Sequence, residues 1–383
     1  MPVAKMIFWI SVAYMAYTYL GYPVILNVLA SLFPRKIHRK RPDDPPFVSI
    51  VIAAKNEASN IGRRIEDLLR QDYPADRMEI IVVSDGPNDG TDVILDGYAG
   101  RTIPGGPVIR HLRQQKSRGK PAALNAGIES AKGEFIVFTD SRQQFEPDAV
   151  MRLIEDFNDP AVGAVSGELF VREDSETTIK AEMGLYWNLE KWIRRTESRI
   201  HSVAGATGAI YAVRRSLADP LPEETILDDV LVPMRAVLRG YRTVFETRAV
   251  AWDVVSKDLT QEKRRKVRTL LGNYQLLRLM PDLLSPRKNP ILFQFLSHKI
   301  LRLFVPIFFI AAMISAPLTG DGVYIFFFFV SIAVLLSPLA GDRLGKVPVA
   351  GKIVSVSRTF TSLNWFALLA FIEFVSPGEK DVW

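Results

Sequence analysis

Gly133 to Gln143 read GEFIVFTDSRQ. Residues 135–139 are apolar or β-branched, the composition of a strand buried on both faces. The run ends in one acid, Asp140. Open α/β sheets bind ligands in the crevice outside the carboxyl ends of their strands. A carboxylate there can face a metal ion or a sugar nucleotide. The structural alternative is a strand followed by a polar turn.

The flanking sequence repeats the pattern. Residues 47–54, FVSIVIAA, predict a buried strand, with Asn56 and Glu57 just beyond Ala54. Residues 60–71 carry helical periodicity through Ile61, Ile65, Leu68 and Leu69. Residues 78–83 predict a second strand, closed by Ser84-Asp85-Gly86. A helix over 92–98, a strand over 107–112 and a helix over 120–131 lead back to the opening stretch. Strands alternating with helices argue for a mainly parallel sheet with right-handed crossovers.

Downstream, residues 147–157 predict a helix and 161–171 a strand pair. Residues 178–201 predict a long helix whose face of Tyr186, Trp187, Trp192 and Ile193 packs on the sheet. Residues 203–215, VAGATGAIYAVRR, place small residues before a strand. Asp228 and Asp229 sit between apolar neighbours and open a helix to Arg239, capped by Gly240. A last strand over 241–250 and a basic amphipathic helix over 261–279 follow.

Apolar runs bracket this region. Residues 6–32 carry no charge and span roughly 40 Å as a helix, enough to cross a bilayer with tilt. Arg35, Lys36, Arg39, Lys40 and Arg41 follow, which by the positive-inside rule puts this end in the cytoplasm. Further apolar runs cover 301–318, 323–339 and 353–375, with 286–300 read as interfacial. Arg343, Lys346 and Lys352 again favour an inside catalytic region, four crossings and both termini outside. The domain reading is an anchor over 1–34, a cytoplasmic domain over 35–285 and a membrane region over 286–383.

The chain has no cysteine, which excludes disulfides and thiolate catalysis, and its four histidines lack metal-ligand spacing. The net charge is +6, with basic clusters beside apolar runs. That distribution favours anionic headgroups and a phosphorylated substrate over nucleic acid.

Together these motifs resemble membrane-bound family 2 inverting glycosyltransferases, the group of cellulose, chitin and hyaluronan synthases. The resemblance runs from about Phe47 to about Leu284, and the arrangement of apolar runs resembles the Nod-factor chitin-oligosaccharide synthases. It implies a GT-A type α/β fold, with a Rossmann-like nucleotide-binding half and flanking transmembrane helices. Ala54, Asn56 and Glu57 then form the first nucleotide contact, with Glu57 near the base, and Asp85 the second. Gly119-Lys120-Pro-Ala-Ala-Leu-Asn125 is similar to the family's G-K-x-x-A-L-N element, with Lys120 on phosphate charge. Asp140 matches the first acid of D-x-D and would hold Mg²⁺ or Mn²⁺ with the diphosphate. Asp228-Asp229 falls at the T-E-D position, making Asp229 the general base. Gln261 and Arg264 match the Q-x-x-R-W element.

Two positions depart from the pattern. Arg142 replaces the second acid of D-x-D, and Arg265 replaces the tryptophan. Arg142 can supply charge where a ligand is missing. The resemblance implies transfer of a hexose or N-acetylhexosamine from a UDP-sugar to a glycan or lipid-linked acceptor, beside membrane lipids and polysaccharide-export proteins, at a bacterial inner membrane. The alternatives are a single-transfer glycolipid synthase and a non-catalytic nucleotide-binding subunit.

Overall fold

The computed structural model describes residues 2–99, 105–172, 179–254, 259–337 and 348–376. Strands β1 (Val48–Ala54), β2 (Met78–Asp85), β3 (Val108–Gln114), β4 (Phe135–Phe138), β5 (Gln144–Phe145), β6 (Val162–Arg172), β7 (Tyr211–Arg214) and β8 (Arg242–Val254) join in one sheet. Their order is β3-β2-β1-β4-β7-β6-β8-β5. β1 to β4 pair in parallel. β7 then pairs antiparallel with both β4 and β6, while β6 and β8 are parallel. The half of the sheet built from β1 to β4 is therefore parallel and the other half mixed.

The strand order reverses between β1 and β4. That reversal opens a crevice at the carboxyl ends of both strands. Asn56, Glu57 and Asp140 lie just past those ends.

The expected strand pair over 161–171 is a single strand, β6. Its pairing with β8 slips at Gly163 and Gly167, where bulges absorb the extra residues instead of a turn. β5 has only two residues, too few to leave a period-two pattern, and it gains strand geometry by pairing with β8.

Alternation along β1 divides the core. Ile50 and Ile52 face α3 (Ile61–Leu69), while Val51 and Ala53 face α5 (Lys120–Ser130). The second face extends without a break to Leu303 and Ala370 in the C-terminal helices. The sheet and these helices share one apolar cluster.

α1 (Pro2–Ala16) and α2 (Tyr22–Leu32) are joined by one π-helical turn. α4 is Thr91–Tyr98, α6 is Ala149–Glu155 and α7 is Ile179–Ile200. α8 is Asp228–Leu238 and α9 is Leu259–Leu279. α7 packs on the sheet through β8, as expected, and also on α2, where Ile193 is buried against Tyr22 and Leu26. Among the described residues two helices, Pro2–Leu32 and Leu292–Thr319, are long and apolar enough to cross a membrane. Residues 292–300, expected at the interface, already belong to the second of these. Gly322–Leu336 is shorter, and a last helix spans Pro348–Val375. Arg343 and Lys346 lie outside the described residues.

The basic segment after α2 is partly spent on protein. Arg39 Nε lies 2.5 Å from Asp156 and 2.9 Å from Glu246, both buried. Lys40 pairs with Asp43 and Arg41 with Asp72 at exposed positions.

Gly133, at the start of the opening stretch, abuts β1. A Cβ there would lie 2.5 Å from Ser49 N and 2.7 Å from Phe135 O. Backbone cannot yield as a flexible side chain can. Gly133→Ala should destabilise the fold by about 1–3 kcal/mol through overpacking, read as a lowered melting temperature in detergent. An unchanged melt would show that this approach is not tight.

Candidate active site

Three carboxylates and one ammonium converge at the carboxyl end of the sheet. Asp140 follows β4, Asp228 and Asp229 open α8, and Lys120 opens α5. Lys120 Nζ lies 3.0 Å from Asp140 Oδ1 and 3.2 Å from Asp228 Oδ1. Tyr211 donates to Asp228 Oδ2 at 3.2 Å. Tyr211 arrives because the antiparallel register sets it opposite Phe138 on β4.

Asp229 has a different environment. Gly208 N donates to its Oδ2 at 3.1 Å, and its own carbonyl accepts from Ala206 N at 2.6 Å. Burial and the neighbouring Asp228 push the Asp229 carboxyl up to about 6, against the opposing charges of Lys120 and Lys299. Burial also acts to raise Asp140, but Lys120 and Arg142 outweigh it and hold that carboxyl below its ordinary value. Burial works against the Lys120 charge, while Asp140, Asp228 and Asp229 overcome it and keep the ammonium protonated. Asp140 is thereby held ionised, while Asp229 is able to exchange a proton near neutrality.

The loops after β1 and β2 are knitted together. Asn56 adopts a positive φ of 55°, and its Oδ1 accepts from Asn88 N at 2.9 Å. Asn60 donates to Glu57 Oε2 at 2.8 Å. Burial raises the Glu57 carboxyl, with Asn60 and Arg142 opposing. Ala54 is the buried last residue of β1.

Asp85 and Asn125 are both engaged by neighbouring segments of the chain. The Asp85 carboxylate accepts from Ser117 Oγ at 2.6 Å, Arg118 N at 2.7 Å and Gly119 N at 3.0 Å. It seats the loop that delivers Lys120. Gly86 allows that loop to approach, since a Cβ there would stand 2.6 Å from Ser117 N. Asn125 is paired through both ends of its amide with the Leu221 backbone, at 2.9 and 2.7 Å.

Arg142 Nε lies 3.0 Å from Asp253 Oδ2, an oxygen that also accepts from Gln143. Gln261 lies on α9, and its side chain is outside the described residues. Arg264 is exposed on the same helix, and the charge of Arg265 acts on Asp140.

Arg64 is a residue that sequence reasoning missed. It is fully buried on α3, donates to Asp67 at 2.5 Å and to Thr139 Oγ1 at 2.8 Å, and stacks over Phe145. It braces the strand end that carries Asp140. Its signal was legible, because Arg64 falls three residues after Ile61 on the apolar face.

No group of three His, Asp or Glu side chains gathers as a metal cage among the described residues. Mg²⁺ in nucleotide sites is commonly held by one or two carboxylates plus phosphate oxygens. Asp140 beside the crevice fits such a site, with the diphosphate completing the ligands.

The profile of glycosyl transferase family 2 matches residues 49–221. A poly-beta-1,6-N-acetyl-D-glucosamine synthase of Staphylococcus aureus is 26% identical over 287 residues, 70% of this chain and 68% of the relative. The enzyme of that name from Staphylococcus epidermidis is 26% identical over 235 residues, 60% of this chain and 55% of its own. A mannosyltransferase from Pyrobaculum calidifontis, solved with GDP-Man and Mn²⁺, superposes with a TM-score of 0.74 at 21% identity, over 97% of this chain and 100% of that one. That likeness concerns the fold. Residues 49–221, which hold the crevice and Asp140, are thus similar to glycosyl transferase family 2, on a GT-A-like fold that continues to the paired acids Asp228 and Asp229.

Proposed function

We propose that this chain moves N-acetylglucosamine, or a related hexose, from a UDP-sugar to a growing polysaccharide, with inversion at the anomeric carbon. The observation that carries the reaction type is the split between Asp229 and its neighbours. One carboxyl is pushed up to about 6 beside an ammonium that stays charged. The names of the staphylococcal relatives support the sugar and the polymer.

Asp229 takes the proton of the acceptor hydroxyl as its oxygen bonds to the anomeric carbon. The bond from that carbon to the phosphate oxygen breaks on the opposite face, and the nucleoside diphosphate leaves with the electron pair. Lys120 and Arg142 stabilise the charge that develops there. A divalent cation bound by Asp140 and the diphosphate would add Lewis-acid stabilisation. Glu57, Asn56 and Ala54 line the nucleotide end.

The basic segment after α2, the long apolar helices and the shared core favour action at a cytoplasmic membrane face, on a glycan that lipids and export proteins receive. Arg265, in place of an aromatic platform, favours as a second reading a single transfer to a glycolipid.

The test is nucleotide release from a panel of UDP-sugars by the full chain in lipid nanodiscs, with Mg²⁺, Mn²⁺ or EDTA. Release is expected with UDP-N-acetylglucosamine and should be lost in EDTA. Release that survives EDTA would assign the leaving-group charge to Lys120 and Arg142 alone. A ladder of products supports polymerisation; one added sugar supports the glycolipid reading. No release from any donor would sink both.

A further inference from the structure

We infer that Arg194 is a positioning residue for Asp229, locking the 205–208 loop that holds the carboxylate. This rests on reading Asp229 as the base. Arg194 comes from α7, outside every sequence motif of the site. Its Nη1 donates to Thr207 Oγ1 at 2.5 Å. Its Nη2 donates to Ser166 Oγ at 3.0 Å and to the Gly205 carbonyl at 3.2 Å. Ser166 Oγ in turn accepts from Thr207 N at 3.0 Å. The guanidinium also lies over the Phe245 ring, 4.7 Å from its centroid. One planar cation therefore ties α7, β6 and two loop residues, Gly205 and Thr207, together.

The loop needs that tie. Gly205 has a φ of +119°, and a Cβ there would lie 2.9 Å from Val230. A Cβ on Gly208 would stand 3.1 Å from Asp229 Oδ2. The loop thus lies directly against the start of α8, with Ala206 N on the Asp229 carbonyl and Gly208 N on its carboxylate. Small residues make the approach possible and supply no side chain to hold it. Arg194 supplies the hold from behind.

α7 is itself clamped by both long apolar helices. Glu197 accepts from Tyr22 at 2.5 Å and contacts His298 Nδ1 at 2.8 Å. Glu190 contacts His298 Nε2 and Arg302, each at 2.8 Å. The guanidinium is therefore mounted on a strut fixed at residues on either side of it.

The charged and titratable groups facing Asp229 are Asp228 on α8, Lys120 on α5, Asp140 after β4, Tyr211 on β7, Lys299 on the 292–319 helix and Arg194 itself. Arg194→Met removes one of these charges as well as the tie, whereas Thr207→Val loosens the loop and keeps them all, so Thr207→Val isolates the effect of the loop. Loss of the Gly208 donor removes a hydrogen bond to the charged carboxylate, which raises its pKa. A base must be ionised to act, so the acid limb of kcat/KM then moves to higher pH.

The test uses the full chain in nanodiscs with UDP-N-acetylglucosamine as donor, and compares Arg194→Met, Arg194→Lys, Thr207→Val and Asp229→Asn. Arg194→Met should lower kcat about a hundredfold through misplacement of the base, leave the donor KM unchanged and shift the acid limb above its wild-type position. Arg194→Lys should recover part of the rate, and Thr207→Val should move both quantities in the direction of Arg194→Met by less. If Arg194→Met does not fold, Thr207→Val carries the test. An unshifted acid limb, with activity that merely follows the folded fraction, overturns the inference. If that occurs while Asp229→Asn is inactive, the base reading stands alone. An active Asp229→Asn overturns both.

Discussion

Asp229→Asn is expected to lower glycosyl transfer by roughly a hundredfold to ten-thousandfold, the span a positioned general base supplies. Asparagine keeps the shape and an oxygen for the Gly208 N–H, which donates at 3.1 Å. It removes only the ability to accept a proton, so donor binding should persist. The wild-type enzyme provides a second check through pH. Burial and Asp228 raise the Asp229 carboxyl to about 6. Below that pH the base is protonated and cannot act, so kcat/KM should fall as pH drops through about 6. Because Asp228 and Asp229 adjoin, the limb belongs to the pair and not to one acid. The variant's residual rate should show no such limb. A variant that retains wild-type turnover, or a wild-type profile flat across this range, would remove Asp229 from the base role.

Lys120→Met should cost nearly as much by another route. The ammonium sits 3.0 Å from Asp140 and 3.2 Å from Asp228. Methionine fills a similar volume and leaves three carboxylates facing one another at the mouth of the crevice. An anionic diphosphate must then approach net negative charge. Removing a preorganised donor to developing charge costs about a hundredfold to a thousandfold in kcat, and here donor affinity should fall as well. Titration with UDP-sugar, alongside nucleotide release, separates the two effects. Lys120→Arg should recover binding more than turnover, since a planar fork keeps the charge but not the reach of a point ammonium. Full donor affinity in Lys120→Met would mean that the lysine serves the fold of the site and not the phosphate.

Much of this was legible in the chain itself. Continuous apolar runs ending in polar residues placed β1, β2 and β4, and with them the crevice beside Glu57 and Asp140. Asp228 and Asp229 announced themselves as acids at a helix start flanked by apolar residues, where the helix dipole accommodates them. The length and hydropathy of residues 6–32 fixed an apolar helix, and Pro2–Leu32 is one in the structure, broken only by a π turn. Local pattern sufficed in each case because the information lies within one turn or one strand.

What tertiary structure alone decided was which side chains spend themselves on one another. Asp85 accepts hydrogen bonds from the 117–119 loop, a segment far from it in sequence. Arg142 meets Asp253, more than a hundred residues away. Glu190, Glu197 and His298 are ordinary polar residues in their own segments, and pair only once α7 lies against the long apolar helices. Arg194 carries no motif, yet it reaches the loop behind Asp229. Hydrophobic periodicity is a one-dimensional signal, set by which face of an element is buried. Hydrogen bonds between distant segments are set by sheet order and register, and those exist only after the chain has closed on itself. Local pattern marks the strands, the crevice and the acids; packing sets which charges stand against each acid.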